Sequence, residues 1–159
     1  MGDGPILSMP LDCLLWHVPV DLERVDFVKI DVEGFEIAAL QGAQKSLFRK
    51  PGSVGALLME VGPARWQRSS ISLPTGVSEL KRLGGLFKIS HILLRDGRSS
   101  CRRSVLAPLF ATKTVTKVED NFMYEVAEKD WEPLITKMAE NNIDCNFWFT
   151  NDESVQHSY

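Results

Sequence analysis

The sequence predicts an α/β fold, on three observations. Val25–Ile30 is a short β-branched and aromatic run with Val28 and Ile30 on one face. Val54–Val61 is almost continuously apolar, as in a parallel strand covered on both faces. Between them the apolar spacing turns helical, so strand, helix and strand follow one another as a βαβ unit, which the handedness rule makes a right-handed crossover between parallel strands.

Each element follows from local chemistry. The first strand ends at Asp31. After Gly34, Ile37, Leu40, Leu47 and Phe48 share one side while Gln41, Gln44, Lys45 and Arg49 lie outside, which predicts a helix of about four turns stopped by Pro51-Gly52-Ser53. The second strand ends near Gly62-Pro63. Val77, Leu80 and Leu83 recur at three-residue spacing, so 77–83 reads as a second crossover helix with Gly84-Gly85 as its stop. Leu86 to Leu94 reads as strand. Asp96-Gly97 is a hairpin signal, and the β-rich residues between Ser104 and Val118 are the expected antiparallel partner closing a sheet edge. Trp131, Leu134, Ile135 and Met138 form an apolar helical stripe, with Asp130 as N-cap and Asn141-Asn142 as its end. Phe147-Trp148-Phe149 is expected as a final edge strand or a packing plug.

At 159 residues the chain has the size of one ordinary domain or a piece of a larger one. With 44% hydrophobic and 25% charged residues it carries enough apolar surface to offset its ordering entropy, which excludes a disordered chain. No apolar run approaches the roughly 18 to 20 residues that span a bilayer, and the start lacks a secretory pattern, so no membrane partner is expected. Cys13, Cys101 and Cys145 are an odd, scattered set without a Cys-x-x-Cys, so neither a disulfide framework nor a zinc knuckle is expected, and a reducing, cytoplasmic setting fits.

The charge is split along the chain. Residues 1–118 carry 16 Lys/Arg against 11 Asp/Glu, and residues 119–159 carry 2 against 10. The stretch 81–117 holds nine basic residues and one acid. Phe87 and Phe110 are its only Phe, Tyr or Trp residues, too few to stack bases, so nucleic acid is not expected as a partner and a solvated basic face docking partly on the acidic C-terminal segment is the better reading. The division expected is a main domain over 1–118, an acidic helical extension packing on it over 119–150, and a frayed tail over 151–159.

Lys29-Ile30-Asp31-Val32-Glu33-Gly34-Phe35-Glu36, followed by Leu40-Gln41-Gly42-Ala43 and Leu47, resembles the signature of the FkbM-type S-adenosylmethionine-dependent methyltransferases. Upstream, Met9-Pro10-Leu11-Asp12-Cys13-Leu14-Leu15 is similar to the Leu-Asp segment that precedes that strand in the family. Downstream, Leu57-Leu58-Met59-Glu60-Val61 is similar to its next strand, so the resemblance covers about residues 8–95. It implies a Rossmann-like class I methyltransferase sheet, with S-adenosylmethionine across the carboxyl ends of the strands. It also implies Asp12, Asp31 and Gly34 as cofactor-binding residues, and a hydroxylated small molecule or sugar as acceptor. In that family a glycine-rich turn and an acid for the ribose lie before the Leu-Asp segment. No such turn precedes Asp12, so the sheet is expected without its first strands and helices, as a fragment or as one half completed by another chain or an oligomer.

Methyl transfer from a sulfonium needs a nucleophile aligned behind the carbon, and an alcohol acceptor also benefits from a base. Asp31, Glu33 and Glu60, at or near two strand ends, are the catalytic candidates, with Asp31 first as base or acceptor-positioning residue. The structural reading beside it is that acids in a strand-to-helix turn cap free N–H groups. Gly34 is expected to permit a tight helix entry, Gly42-Ala43 to allow close packing, Glu36 to be solvated or a cap, and Trp66 to be a packing anchor. His17, His91 and His157 lack metal-ligand spacing, and no metal site is expected. The alternative to an enzyme is a non-catalytic α/β remnant acting as an interaction module.

Overall fold

The computed structural model describes residues 8–17, 23–96, 100–110, 115–118 and 121–152. Gly97, residues 111–114, His157 and the tail from 153 onward lie outside the described residues. α1 spans Leu11–Trp16, β1 Val25–Ile30, α2 Glu36–Gln41, β2 Val54–Val61, α3 Leu73–Gly84, β3 Ile89–Arg95, α4 Arg103–Leu106, β4 Val115–Val118, β5 Asn121–Glu125, α5 Trp131–Glu140 and β6 Cys145–Thr150. A 3-10 helix, Pro63–Ser69, follows β2.

These elements make a mixed α/β structure around one six-stranded sheet in the order β1-β2-β6-β3-β5-β4. β1 and β2 are parallel, as their βαβ pattern requires, with Ile30 opposite Met59. β6 runs antiparallel to both β2 and β3, so β3 points the same way as β1 and β2. Leu57, Met59 and Val61 are fully buried toward the helix layer, whereas Ala56, Leu58 and Glu60 on the other side of β2 are only half-buried. The cover expected on both faces of this strand is therefore complete on one. Trp131 of α5 stacks on Phe147 and Phe149 of β6 with ring centroids 5.4 and 5.9 Å apart. Such pairs contribute about 0.5–1.5 kcal/mol each beyond their area burial.

Several expectations are corrected by tertiary contacts. The helix expected to run about four turns past Gly34 stops at Gln41, because α1 captures the chain beyond it. Asp12 N–H donates to the Gly42 carbonyl at 2.7 Å, and the Asp12 carboxylate accepts from Lys45 N–H, Ser46 N–H and Ser46 Oγ at 2.6–2.9 Å. α3 begins four residues before Val77, because the Ser72 hydroxyl accepts the Thr75 N–H and Pro74 suits the first turn. Asp130 is the N-cap residue of α5 as expected, but its carboxylate accepts from the Ala127 N–H at 2.9 Å and gives α5 no side-chain cap.

The Asp96-Gly97 signal does not join β3 to a strand within 104–118. The partners of β3 are β5 and β6, the strand that 104–118 does supply, β4, pairs antiparallel with β5 at the sheet edge, and 103–110 is helical, with Leu106 and Phe110 packed into the core. Phe147-Trp148-Phe149 is neither an edge strand nor a plug: β6 lies between β2 and β3. Residues 121–150 thus supply β5, α5 and β6 to the same sheet and helix layer rather than a separate addition to it. The basic stretch does meet this segment, through Arg95 on Asn121, Arg102 on the Asn141 carbonyl and Arg103 on Tyr124.

The cysteines also depart from expectation. Cys101 and Cys145, 44 residues apart, form a disulfide with Cα atoms 4.8 Å apart, and Cys13 is free and exposed. Their spacing carries no pairing signal because the fold alone sets the segment before α4 beside the start of β6. Among the described residues, no helix is long and apolar enough to cross a membrane.

Candidate active site

The parallel register builds the site. Because Ile30 faces Met59 across β1 and β2, the next residues, Asp31 and Glu60, come side by side at the carboxyl ends of these strands. Glu33 joins them from the turn that follows, and one oxygen from each of the three carboxylates lies within 4.8 Å of the others. The turn is shaped by Glu33 and Gly34, both in the left-handed region at φ 51° and 101°. A Cβ on Gly34 would lie 2.7 Å from the Arg65 carbonyl, so glycine is needed here for close backbone approach as well as for its φ.

Three cations and a fourth acid surround the cluster. Lys29 Nζ lies 3.2 Å from Asp31. Arg65 pairs with Glu33, sits 3.7 Å from Glu60 Oε1 and reaches Asp144 Oδ2 at 2.9 Å. This last approach is a charge contact rather than an aligned hydrogen bond. Arg68 donates to the Glu33 carbonyl at 3.2 Å. Burial, then the hydrogen bond and charge of Asp31, push the Glu60 carboxyl up to about 7. The Lys29 ammonium first, and the hydrogen bond with Glu60 next, hold Asp31 below the usual carboxylate range. Burial also raises Asp144, against the opposing pull of Arg65. Near neutrality Asp31 is therefore held toward its charged form while Glu60 is partly protonated.

Glu60 opens on a hollow of about 250 Å³, floored by Leu58 and Leu93 and rimmed by Asn121, Asp144 and Asn146. Cys101 lines one wall, so the disulfide borders the site. A larger hollow of about 520 Å³ lies at the opposite, amino ends of β1 and β2, beside Arg24 and Asp26, and contains none of the three carboxylates.

The structure thus brings together Asp31, Glu33 and Glu60, with Gly34 beside them. Asp12 is not among them: its carboxylate is taken up by Lys45 and Ser46 of the turn after α2, where burial raises its pKa but these hydrogen bonds outweigh it and lower it overall. Glu36 is neither solvated nor at the surface. It is fully buried, accepting from Gly34 N–H at 2.6 Å and from the Trp66 indole N–H at 3.2 Å. Trp66 itself is 1% exposed and packs as an anchor. His91 is buried on the sheet, and burial lowers its pKa.

Sequence reasoning missed Arg65 and Asp144. A cation five residues past Glu60 was a readable counter-charge to an acid-tipped strand. Asp144 had no such signal, because its place follows from β6 entering the middle of the sheet.

No curated protein and no solved structure matches the chain. The family model described as the methyltransferase FkbM domain matches residues 7–69, a span that contains Asp31, Glu33, Gly34 and Glu60. The match takes in the Lys29 to Glu36 string, which resembles the same family.

Proposed function

We propose that the chain is an S-adenosylmethionine-dependent methyltransferase that methylates an oxygen of a hydroxylated small molecule or sugar, on part of a Rossmann-like sheet. One observation carries this reading: two carboxyls, Asp31 and Glu60, meet at the carboxyl ends of adjacent parallel strands beside a hollow, inside the segment that matches the family. Open α/β sheets hold ligands at that edge. The residues fit a sulfonium cofactor in charge, since Asp31 and Glu33 are exposed carboxyl groups beside Glu60, which lines the hollow. When bound, the cofactor supplies an electrophilic methyl carbon. Asp31 would orient the acceptor hydroxyl and take up its proton, with the Glu60 carboxyl held beside it.

Calorimetric titration of the full chain with S-adenosylmethionine tests the reading. One-site saturation is expected; silence from a folded chain overturns it. Asp31→Asn should lower turnover far more than cofactor affinity, because it alters proton removal and not the donor's binding. Unchanged turnover would reject the role given to Asp31.

A second reading, an interaction module completed by another chain or a second copy, draws on α1. This helix buries no residue, and Leu14 and Trp16 are 50% and 87% exposed. Sedimentation of the chain with and without Leu14→Ser and Trp16→Ser decides it: a concentration-dependent oligomer lost in the variants supports the module, and a monomer throughout removes it. The cytoplasmic setting expected from free cysteines loses its ground, because the Cys101–Cys145 bridge is of a kind that persists in oxidising compartments.

A further inference from the structure

Arg65 occupies a position that none of the site's other residues shares. Its guanidinium reaches acids from three separate pieces of chain: Glu33 in the turn after β1, Glu60 at the end of β2, and Asp144 just before β6. Its backbone is equally committed. The Arg65 carbonyl presses on Gly34, and the Arg65 N–H donates to the Gly62 carbonyl at 2.9 Å. A Cβ on Gly62 would lie 2.6 Å from Asp144 Oδ1 and 2.8 Å from Arg65 Nε, so Gly62 is the gap through which this side chain passes. The Arg65 side chain is only 20% exposed, as is that of Asp144. A planar five-donor fork suits such a junction, and an ammonium with one point charge does not.

We propose that Arg65 is a positioning residue: by tying Glu33, Glu60 and Asp144 together it holds the Glu60 carboxyl against Asp31, their oxygens within 4.8 Å of each other, in place for proton exchange with the acceptor. This rests on the methyltransferase reading for its purpose, but not for its geometry. Without Arg65 the ends of β1, β2 and β6 hold Asp31, Glu33, Glu60 and Asp144, four acids facing Lys29, Arg68 and, across the hollow, Arg95. Without that tie Glu33, Glu60 and Asp144 lose their common counter-charge, and nothing fixes Glu60 against Asp31 at the strand ends.

The test is a carbon-detected titration of the side-chain carboxyls of Asp and Glu in the full chain, wild type against Arg65→Gln and Arg65→Lys. In the wild type, Glu60 and Asp31 are expected to titrate as a linked pair, each reporting the other's step. Arg65→Gln is expected to uncouple the two curves, so that neither reports the other's step, and Arg65→Lys to restore charge but not the linkage. Unchanged linked curves in a folded Arg65→Gln chain would overturn the proposal. If Arg65→Gln does not fold, Arg65→Lys decides alone, with full retention of the linkage as the refuting result. Calorimetry with S-adenosylmethionine on the same samples separates the two failures: a silent wild type with linked curves refutes the methyltransferase reading only, and one-site heat with unlinked curves refutes only the role of Arg65.

Discussion

Reduction of the Cys101–Cys145 bridge is a perturbation whose size can be worked out beforehand. It closes a loop of 44 residues. In the chain-entropy account, opening such a loop frees the unfolded chain by about 4 kcal/mol at 25 °C. Domains of ordinary size are stable by about 5–15 kcal/mol, so this is a large share of the total. At about 2–4 °C per kcal/mol for a chain of this length, the thermal midpoint should fall by roughly 8–16 °C. Reduction is a cleaner perturbation than substitution because it leaves the two buried sulfurs in place. Thiol titration in denaturant without reductant should count one reactive thiol, Cys13, and with reductant three. Urea unfolding followed by tryptophan fluorescence then gives the difference in stability. Three thiols before reduction would refute the cross-link. Coincident unfolding curves after confirmed reduction would refute the loop-entropy reasoning.

Three further outcomes can be checked in the same way. Glu60 is raised to about 7 in the folded chain from an ordinary 4.5, so its contribution to stability is full below pH 4.5 and is lost as pH rises through 7. Glu60→Gln should therefore be more stable than wild type above pH 7, with the advantage vanishing toward pH 4.5; His91, whose lowered pKa acts in the opposite direction near pH 6.5, is common to both chains and cancels. A constant difference across that range in urea melts would reject the assignment. Trp66→Phe removes one of two donors to the buried Glu36 carboxylate and should cost about 1.5–3 kcal/mol in urea unfolding, where a cost under about 0.5 kcal/mol would show that the indole bond is unimportant. Gly76→Ala would bring a Cβ to 2.0 Å from the Trp66 ring and should destabilise by about 1–3 kcal/mol despite the better helix propensity of alanine; a gain in thermal midpoint would refute that packing.

The elements read most easily were those set by neighbours in the chain. Val25–Ile30, Val54–Val61 and the stripe Trp131, Leu134, Ile135 and Met138 became β1, β2 and α5, because side-chain period and burial are local properties. Errors arose where distant segments compete for the same backbone groups. Asp12 ends the helix after Gly34 from thirty residues away, and the partner of β3 is decided by which strand completes its hydrogen bonds.

What the sequence alone determined is the strand-helix-strand core with acids at its strand tips, and so the pairing of Asp31 with Glu60, since parallel strands of a βαβ unit bring their carboxyl ends together. Only the tertiary structure decided that β6 enters between β2 and β3, that Cys101 meets Cys145, and that Arg65 and Asp144 complete the cluster. The physical reason is range: periodicity reports on which side of an element faces the core, whereas a strand's neighbours and a charge's partners are selected by packing among residues far apart in the chain.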